Sequence, residues 1–310
     1  MKFLIVDDVH PCIFDDLKKA GVEWDYNPGI EADEVKKILP NYQGLIVRSK
    51  VFVDDTLLGS SQLKVIARAG AGVDNIDESV LAKRGITLIN APEGNCDAVA
   101  EHTLGMILSL LNNFHKSKNE LQQHQWVREG NRGYELSNLT VGIIGYGYMG
   151  KAVCKRLVPF GCKVVVYDKQ SLATVPEGVE IVSLEELKKR ADILTLHIPL
   201  IDGNAHWVNK TFLEEFEKNI WFINTSRGKV VVGKDLPRLL DSGKLRGVGL
   251  DVWENERPDT FSKEEKELFD KLLSYPQVIM TPHVAGWTFE SYRKISEVMG
   301  RKILQWANKS

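Results

Sequence analysis

Leu139-Thr140-Val141-Gly142-Ile143-Ile144-Gly145-Tyr146-Gly147-Tyr148-Met149-Gly150 is the stretch from which the fold is read. A short apolar run ends in closely spaced glycines, and Lys151-Ala152-Val153-Cys154-Lys155-Arg156-Leu157 follows with apolar residues at helical spacing. Strand, glycine turn and helix start together form the context in which a G-x-G-x-x-G match means dinucleotide binding. Gly145 permits the tight turn, Gly147 lets a pyrophosphate approach the backbone, and Gly150 lets the helix pack against its strand. The free N–H groups and positive end of the new helix then face the phosphates. A second apolar run, Lys163-Val164-Val165-Val166-Tyr167, ends at Asp168, eighteen residues beyond Gly150, where a carboxylate accepts hydrogen bonds from the ribose hydroxyls. An acid there also chooses the cofactor. About 4 Å from a 2′-phosphate it is repelled by about 4 kcal/mol per charge pair at an effective dielectric near ~20. NAD is expected over NADP, with Lys169 a small counterweight.

Working outward, the chain alternates strand-like and helix-like segments on both sides of this unit. Upstream, strands are expected at residues 2–6, 22–26, 44–47, 64–68 and 86–89, with helical patterns at 12–20, 31–39 and 76–84. Downstream, strands are expected at 140–144, 163–167, 193–197, 220–224, 247–251 and 278–280. Such alternation argues parallel sheets covered by helices, and six strands with helical crossovers are what two mononucleotide-binding halves require. Residues 97–124 hold no proline and one glycine, Gly105, and read as one long helix; 290–307 reads as the last. The expected fold class is α/β: a Rossmann-type doubly wound parallel sheet plus a smaller flavodoxin-like α/β substrate domain. The expected domains are a substrate-binding lid over 1–95 and 286–310 and an NAD-binding Rossmann domain over 96–285.

Composition bounds the function. In 310 residues, hydrophobic content is 43%, charged content 26% and net charge −2. This is an ordinary globular chain with room for about two domains and no basic footprint for nucleic acid. No apolar run approaches the ~20 residues of a membrane span. Met1-Lys2-Phe3-Leu4-Ile5-Val6-Asp7-Asp8 meets acids too early for a signal peptide and reads as a first strand. Cys12, Cys96, Cys154 and Cys162 lack metal-ligand or paired spacing, so reduced thiols, a cytoplasmic location and no metal are expected.

Three polar blocks sit at the carboxyl ends of expected strands, where open α/β sheets bind ligands. They are Asn224-Thr225-Ser226-Arg227-Gly228, Asp251-Val252-Trp253-Glu254-Asn255-Glu256, and Thr281-Pro282-His283-Val284-Ala285-Gly286-Trp287-Thr288. Together with Arg68-Ala69-Gly70-Ala71-Gly72-Val73-Asp74-Asn75-Ile76-Asp77 upstream, they resemble the NAD-dependent D-2-hydroxyacid dehydrogenases over essentially the whole chain. The resemblance implies catalytic roles for three residues. His283 is the acid/base, Glu256 orients its imidazole, and Arg227 grips the substrate carboxylate and keto oxygen, a task suited to a planar fork of donors. It implies NAD contacts from Gly145, Tyr148, Met149, Gly150, Asp168, His197, Pro199, Thr225, Ser226 and Asp251. It also implies substrate contacts from Arg48, Ser49, Arg68, the N–H groups of Gly70, Ala71 and Gly72, and Asn95, with the reacting carbon between two domains that close over it. Asp97, Glu101 and His102 read as polar helix-start residues near the hinge rather than a second acid/base set.

Which hydroxy acid is taken is less sharply written. Family members acting on 3-phosphoglycerate hold its phosphate with an arginine–serine pair similar to Arg48–Ser49, so that substrate is expected; the competing reading has Arg48 and Arg68 merely pairing with loop acids. A glyoxylate or hydroxypyruvate reductase is the alternative within the family. Outside catalysis, NAD-sensing corepressors share the scaffold, whereas formate oxidation pairs its histidine with glutamine, unlike Glu256. Trp287 departs from the small residue usual in the family. The sequence ends at Ser310, straight after the last helix, so no appended regulatory domain and no serine feedback are expected. Apolar residues along 98–111, including Met106, Ile107, Leu108, Leu110 and Leu111, resemble the region through which family members pair as a twofold homodimer.

Overall fold

Short runs of β-branched and other apolar residues separated by amphipathic helices produce two all-parallel sheets in a computed structural model, which describes residues 1–171 and 174–309. The chain divides into one unit of Met1–Cys96 with Trp287–Ser310 and another of Asp97–Gly286. Ser310, the last residue of the expected lid, lies outside the described residues.

In the first unit β1 (Lys2–Ile5), β2 (Glu23–Tyr26), β3 (Gly44–Val47), β4 (Val65–Arg68) and β5 (Thr87–Asn90) lie in the order β2-β1-β3-β4-β5. That is the flavodoxin-like order. The register sets Val47 opposite Arg68 and Arg68 opposite Asn90, so Arg48 and Arg68 come off one edge of the sheet. Both faces are covered. On one, Leu4, Leu45 and Ile66 pack with Val35, Leu39 and Leu81. On the other, Phe3, Ile46 and Val65 pack with Ile13 and Leu17 and with Ile295, Met299 and Ile303 of the terminal helix, Phe289–Ala307. A capping box between Thr288 and Ser291 starts that helix, satisfying N–H groups that would otherwise be orphaned.

In the second unit β6 (Thr140–Ile144), β7 (Lys163–Tyr167), β8 (Val179–Ile181), β9 (Ile193–Leu196), β10 (Ile220–Asn224), β11 (Leu245–Leu250) and β12 (Val278–Met280) form the order β12-β11-β10-β9-β6-β7-β8. Counted from β6 this is 3-2-1-4-5-6, the doubly wound dinucleotide order, with a seventh strand added. Two expectations need correcting. The sheet has seven strands, because the three-residue β8 pairs with β7 at an edge where only Val179 is buried. The expected helix over 97–124 is two, Cys96–Leu111 and Phe114–Gln122, broken where Asn113 turns left-handed at φ 55°. The apolar stripe of the first of these is buried within the chain: Met106, Ile107, Leu110 and Leu111 are at most 7% exposed. Met106 and Leu110 pack where Gly249 and Gly247 leave room on β11.

Candidate active site

The glycine turn after β6 is built by close approach. Gly145 adopts φ 95°, and a Cβ there would sit 2.3 Å from the carbonyl oxygen of His197, at the end of the neighbouring β9. A Cβ on Gly150 would sit 2.0 Å from the Gly145 carbonyl oxygen. Gly147, by contrast, is exposed, and a Cβ there would meet nothing within 4 Å. Gly147 caps the Tyr148–Leu157 helix, whose N-terminus follows this open space in the chain. Asp168, just past β7, accepts from the N–H of Tyr146 (2.7 Å) and of Gln170 (2.9 Å). Each of its oxygens retains a lone pair for a further donor. Lys169 turns aside, donating to Asn204 Oδ1 at 2.6 Å, with its ammonium 5.1 Å from the Trp207 ring. An open cradle, a helix N-terminus and an anchored carboxylate suit a dinucleotide pyrophosphate and its ribose. His197 is 9% exposed, its Nε2 lies 3.1 Å from Thr195 Oγ1, and burial pushes its pKa down to about 3, so the ring is neutral. The Pro199 carbonyl accepts from Asn204 Nδ2 at 3.0 Å.

The in-step register of β10, β11 and β12 (Asn224 beside Leu250, Leu250 beside Met280) brings the three polar blocks together at one sheet edge. Asn224 Oδ1 takes the N–H and hydroxyl of Ser226 and its Nδ2 donates to the Arg227 carbonyl, which fixes the turn presenting Arg227. Thr225 Oγ1 meets Thr103 Oγ1 at 3.0 Å. Gly228 lies so close to the Trp253 carbonyl that a Cβ would be 1.9 Å away, which seats this turn against the β11 block. Asp251 is 1% exposed. It accepts from Thr281 Oγ1 (2.6 Å) and from the N–H groups of Val284 (2.9 Å) and Ala285 (2.8 Å). These bonds shape the 281–285 turn. His283 sits in that turn at φ 54°, its N–H bonded to the Asp251 carbonyl at 2.7 Å. Its Nδ1 lies 2.8 Å from Glu256 Oε2. Because a carboxylate only accepts, Nδ1 carries the hydrogen, which in the neutral ring leaves the lone pair on Nε2. With His283 47% and Glu256 42% exposed, the pair is open to a substrate.

In the first unit, the backbone N–H groups of Arg48 and Ser49 bond to Asp7 Oδ2 at 2.6 and 3.2 Å, and the Arg48 guanidinium lies over the Trp287 indole, 3.8 Å from its centroid. Arg68 folds across Gly70, where a Cβ would be 1.8 Å from its Nη1. Asn90 Nδ2 donates to the Ala71 carbonyl at 2.8 Å, holding the loop that carries Ala71 and Gly72. Asn95 Oδ1 is buried and accepts no hydrogen bond from a described residue.

Two features were under-read from sequence. His102 is more than a helix-start residue: its Nε2 lies 3.0 Å from Thr281 Oγ1 and 3.6 Å from Asp251 Oδ1, inside the network behind His283. Asp97 and Glu101 instead clasp Arg156 at 2.9 and 2.8 Å, tying two helices together. The position of His102 near the start of a helix preceding the glycine turn gave no signal, because its partners are about 150 to 180 residues away in sequence.

Residues 104–285 match the family model described as "D-isomer specific 2-hydroxyacid dehydrogenase, NAD binding domain". The chain is 34% identical over 278 residues to a hydroxypyruvate reductase of Thermotoga maritima, covering 89% of this chain and 88% of that protein. It is also 34% identical over 307 residues to a D-3-phosphoglycerate dehydrogenase of Methanocaldococcus jannaschii, covering 98% of this chain but spanning only 57% of that relative's length. Among solved structures, the D-lactate dehydrogenase of Aquifex aeolicus in complex with NAD and lactic acid superposes with a TM-score of 0.85 at 27% identity, covering 100% of this chain and 96% of that one. The chain thus belongs to the D-isomer specific 2-hydroxyacid dehydrogenases, NAD-dependent oxidoreductases that act on the CH–OH group of 2-hydroxy acids.

Proposed function

We propose that this enzyme interconverts a D-2-hydroxy acid carrying a second, remote anionic group with its 2-keto acid, the substrate being 3-phosphoglycerate or a close analogue. The observation that carries this reading is Arg48, whose guanidinium lies over the Trp287 face at the ligand-binding edge of a parallel sheet and, though Asp7 and Asp8 act on it electrostatically, forms no ion pair among the described residues. Arg68 comes off the same edge, and Ser49 beside Arg48 supplies a hydroxyl. Bound NAD supplies the hydride acceptor, or in its reduced form the donor. In oxidation His283 Nε2 takes the hydroxyl proton, and in reduction it returns that proton to the carbonyl oxygen. Glu256 keeps Nδ1 protonated and stabilises the imidazolium as it forms. Arg227 holds the substrate carboxylate with its planar fork.

A charge-assisted hydrogen bond contributes about 1.5–3 kcal/mol, so the remote anion is expected to raise kcat/KM by about 10- to 150-fold. NADH oxidation followed at 340 nm with 3-phosphohydroxypyruvate, hydroxypyruvate and glyoxylate tests this. Equal or better turnover of hydroxypyruvate would favour the second reading, a hydroxypyruvate or glyoxylate reductase. That reading draws on the Thermotoga relative, which this chain spans nearly end to end.

The same proposal includes a homodimer in the cytoplasm. The dimer surface takes in the half-buried Leu104 and Leu108 of the helix over 98–111, whose Met106, Ile107, Leu110 and Leu111 are buried in their own chain, and the segment that follows. There Phe114, Leu121 and Trp126 are 60, 52 and 87% exposed, large apolar groups of the kind that mark interfaces. Light scattering is expected to show a particle of twice the chain mass, and a monomer would remove this part of the proposal. The location rests on cysteines that are all free, and among the described residues no helix is long and apolar enough to cross a membrane.

A further inference from the structure

In the first unit's sheet the strand order reverses between β1 and β3, the switch point at which open α/β sheets bind ligands. Asp7 and Asp8 follow β1, and Arg48 follows β3. Asp7 Oδ2 accepts from the backbone N–H groups of Arg48, Ser49 and Lys50 at 2.6, 3.2 and 3.3 Å, so this carboxylate pins the turn while also acting on the Arg48 guanidinium electrostatically. Asp8 is engaged too, taking the hydroxyls of Tyr26 (2.7 Å) and Tyr292 (2.9 Å). The Arg48 head group is partly buried over the face of Trp287, 3.8 Å from the ring centroid; the Asp7 and Asp8 carboxylates act on it electrostatically, but among the described residues neither forms an ion pair with it. A guanidinium seated over an aromatic face at this distance is attracted to it, and its planar fork of N–H donors can serve a ligand from the edge.

The indole is itself held. Tyr292 packs edge-on against it at 5.7 Å and 71°, and His10 packs edge-on against Tyr292 at 5.6 Å. Trp287 immediately precedes Thr288, the capped start of the terminal helix, which fixes its backbone. The chain Asp8–Tyr292–Trp287–Arg48 is thus a brace that ends in a cation at a ligand-binding edge, balanced by the nearby Asp7 and Asp8 charges without an ion pair to either among the described residues.

We propose that Trp287 is the positioning residue that holds Arg48 with its donor edge outward, and so selects substrates that carry a second anionic group away from the 2-keto acid. This rests on the reading that Arg48 receives that group. A leucine at position 287 fills part of the space but offers no π face, so the arginine swings free and loses its preset orientation. Phenylalanine keeps a face and is the conservative variant.

Steady-state kinetics of the full chain with NADH compares 3-phosphohydroxypyruvate with hydroxypyruvate in the wild type, Trp287→Leu, Trp287→Phe and Arg48→Gln. The ratio of the two kcat/KM values is expected to fall about tenfold in Trp287→Leu, matching the low end of a single charge-assisted bond. The loss should come through KM of the phosphorylated substrate with its kcat held, and most of it should be recovered in Trp287→Phe. If Arg48→Gln collapses the ratio and Trp287→Leu does not, the role of Trp287 is refuted and the Arg48 reading stands. If Arg48→Gln leaves the ratio alone, the reading beneath it falls and the proposal with it. A second readout covers poor folding of the leucine variant. Inorganic phosphate, against a chloride control, is expected to change a tryptophan emission component that is missing in Trp287→Phe and unresponsive in Arg48→Gln. No phosphate-sensitive component in the wild type would overturn the proposal.

Discussion

Replacing Asp168 by asparagine removes one charge and nearly preserves shape, so it separates the two tasks of this carboxylate. The first task is repulsion. About 4 Å from a 2′-phosphate, at an effective dielectric near ~20, one charge pair costs about 4 kcal/mol, or about three powers of ten in binding. Asp168 is only partly buried, and at physiological salt screening brings the working figure nearer to about 100-fold. The second task is anchoring the turn. Both oxygens accept backbone N–H groups, from Tyr146 at 2.7 Å and Gln170 at 2.9 Å. Asparagine retains one acceptor and must point its amide at the other N–H, an unsatisfied donor worth about 1–3 kcal/mol. NADH affinity should therefore fall about tenfold or somewhat more, while the preference for NADH over NADPH shrinks by about 100-fold. Lys169 does not reverse the preference outright, because it is tied to Asn204 at 2.6 Å. Titrations of cofactor fluorescence with NADH and NADPH, at low and physiological salt, measure both quantities. A preference unchanged to within about threefold, at either salt, would refute the electrostatic reasoning.

Two further outcomes follow from buried geometry. Burial holds the His197 pKa near about 3 against an ordinary 6.5. The unfolded chain therefore binds a proton first as pH falls, and stability present above pH ~6.5 is lost progressively toward pH ~3, by about 1.4 kcal/mol per pH unit. Urea melts at pH 7 and pH 4.5 should show about 2–3 kcal/mol less acid destabilisation in a stable His197→Asn variant, and equal losses in both proteins would contradict the neutral, dry imidazole. The glycine turn offers a paired test. Gly150→Ala drives a methyl to 2.0 Å from the Gly145 carbonyl and should destabilise the second unit, whereas Gly147→Ala meets nothing within 4 Å and should leave the melting temperature alone while weakening NADH binding. Equal behaviour of the two variants in both assays would mean that packing and cofactor approach had been assigned to the wrong glycines.

Much of this was legible in the chain because the signals were local. The strands around Gly145 and Asp168 read correctly since fully buried parallel strands are short apolar runs bounded by turns, and the in-step sheet edge then delivers the Asn224, Asp251 and Thr281 blocks to one place. What was missed depends on partners distant in sequence or on a single residue. β8 is three residues with one buried side chain, too short for any period. The helix break rests on Asn113 alone adopting a left-handed conformation that few non-glycine residues tolerate, and apolar spacing continues across it. That part of the 98–111 stripe packs on its own sheet depends on Gly247 and Gly249, which leave room for Leu110 and Met106 from well over a hundred residues away. Trp287 stood out as a departure, but its stacking on Arg48 joins the two ends of the chain and has no counterpart in local pattern.

The measurement bearing most directly on the chemistry is turnover of His283→Ala beside its NADH affinity. The imidazole, hydrogen-bonded to Glu256 at 2.8 Å, is assigned the transferred proton and no part in holding the cofactor. Turnover should fall by more than about 100-fold, the lower bound for general acid–base catalysis, with the NADH dissociation constant unchanged. A variant that binds NADH normally and still reduces its keto acid at the wild-type rate would take His283, and with it the proposed mechanism, out of the reaction.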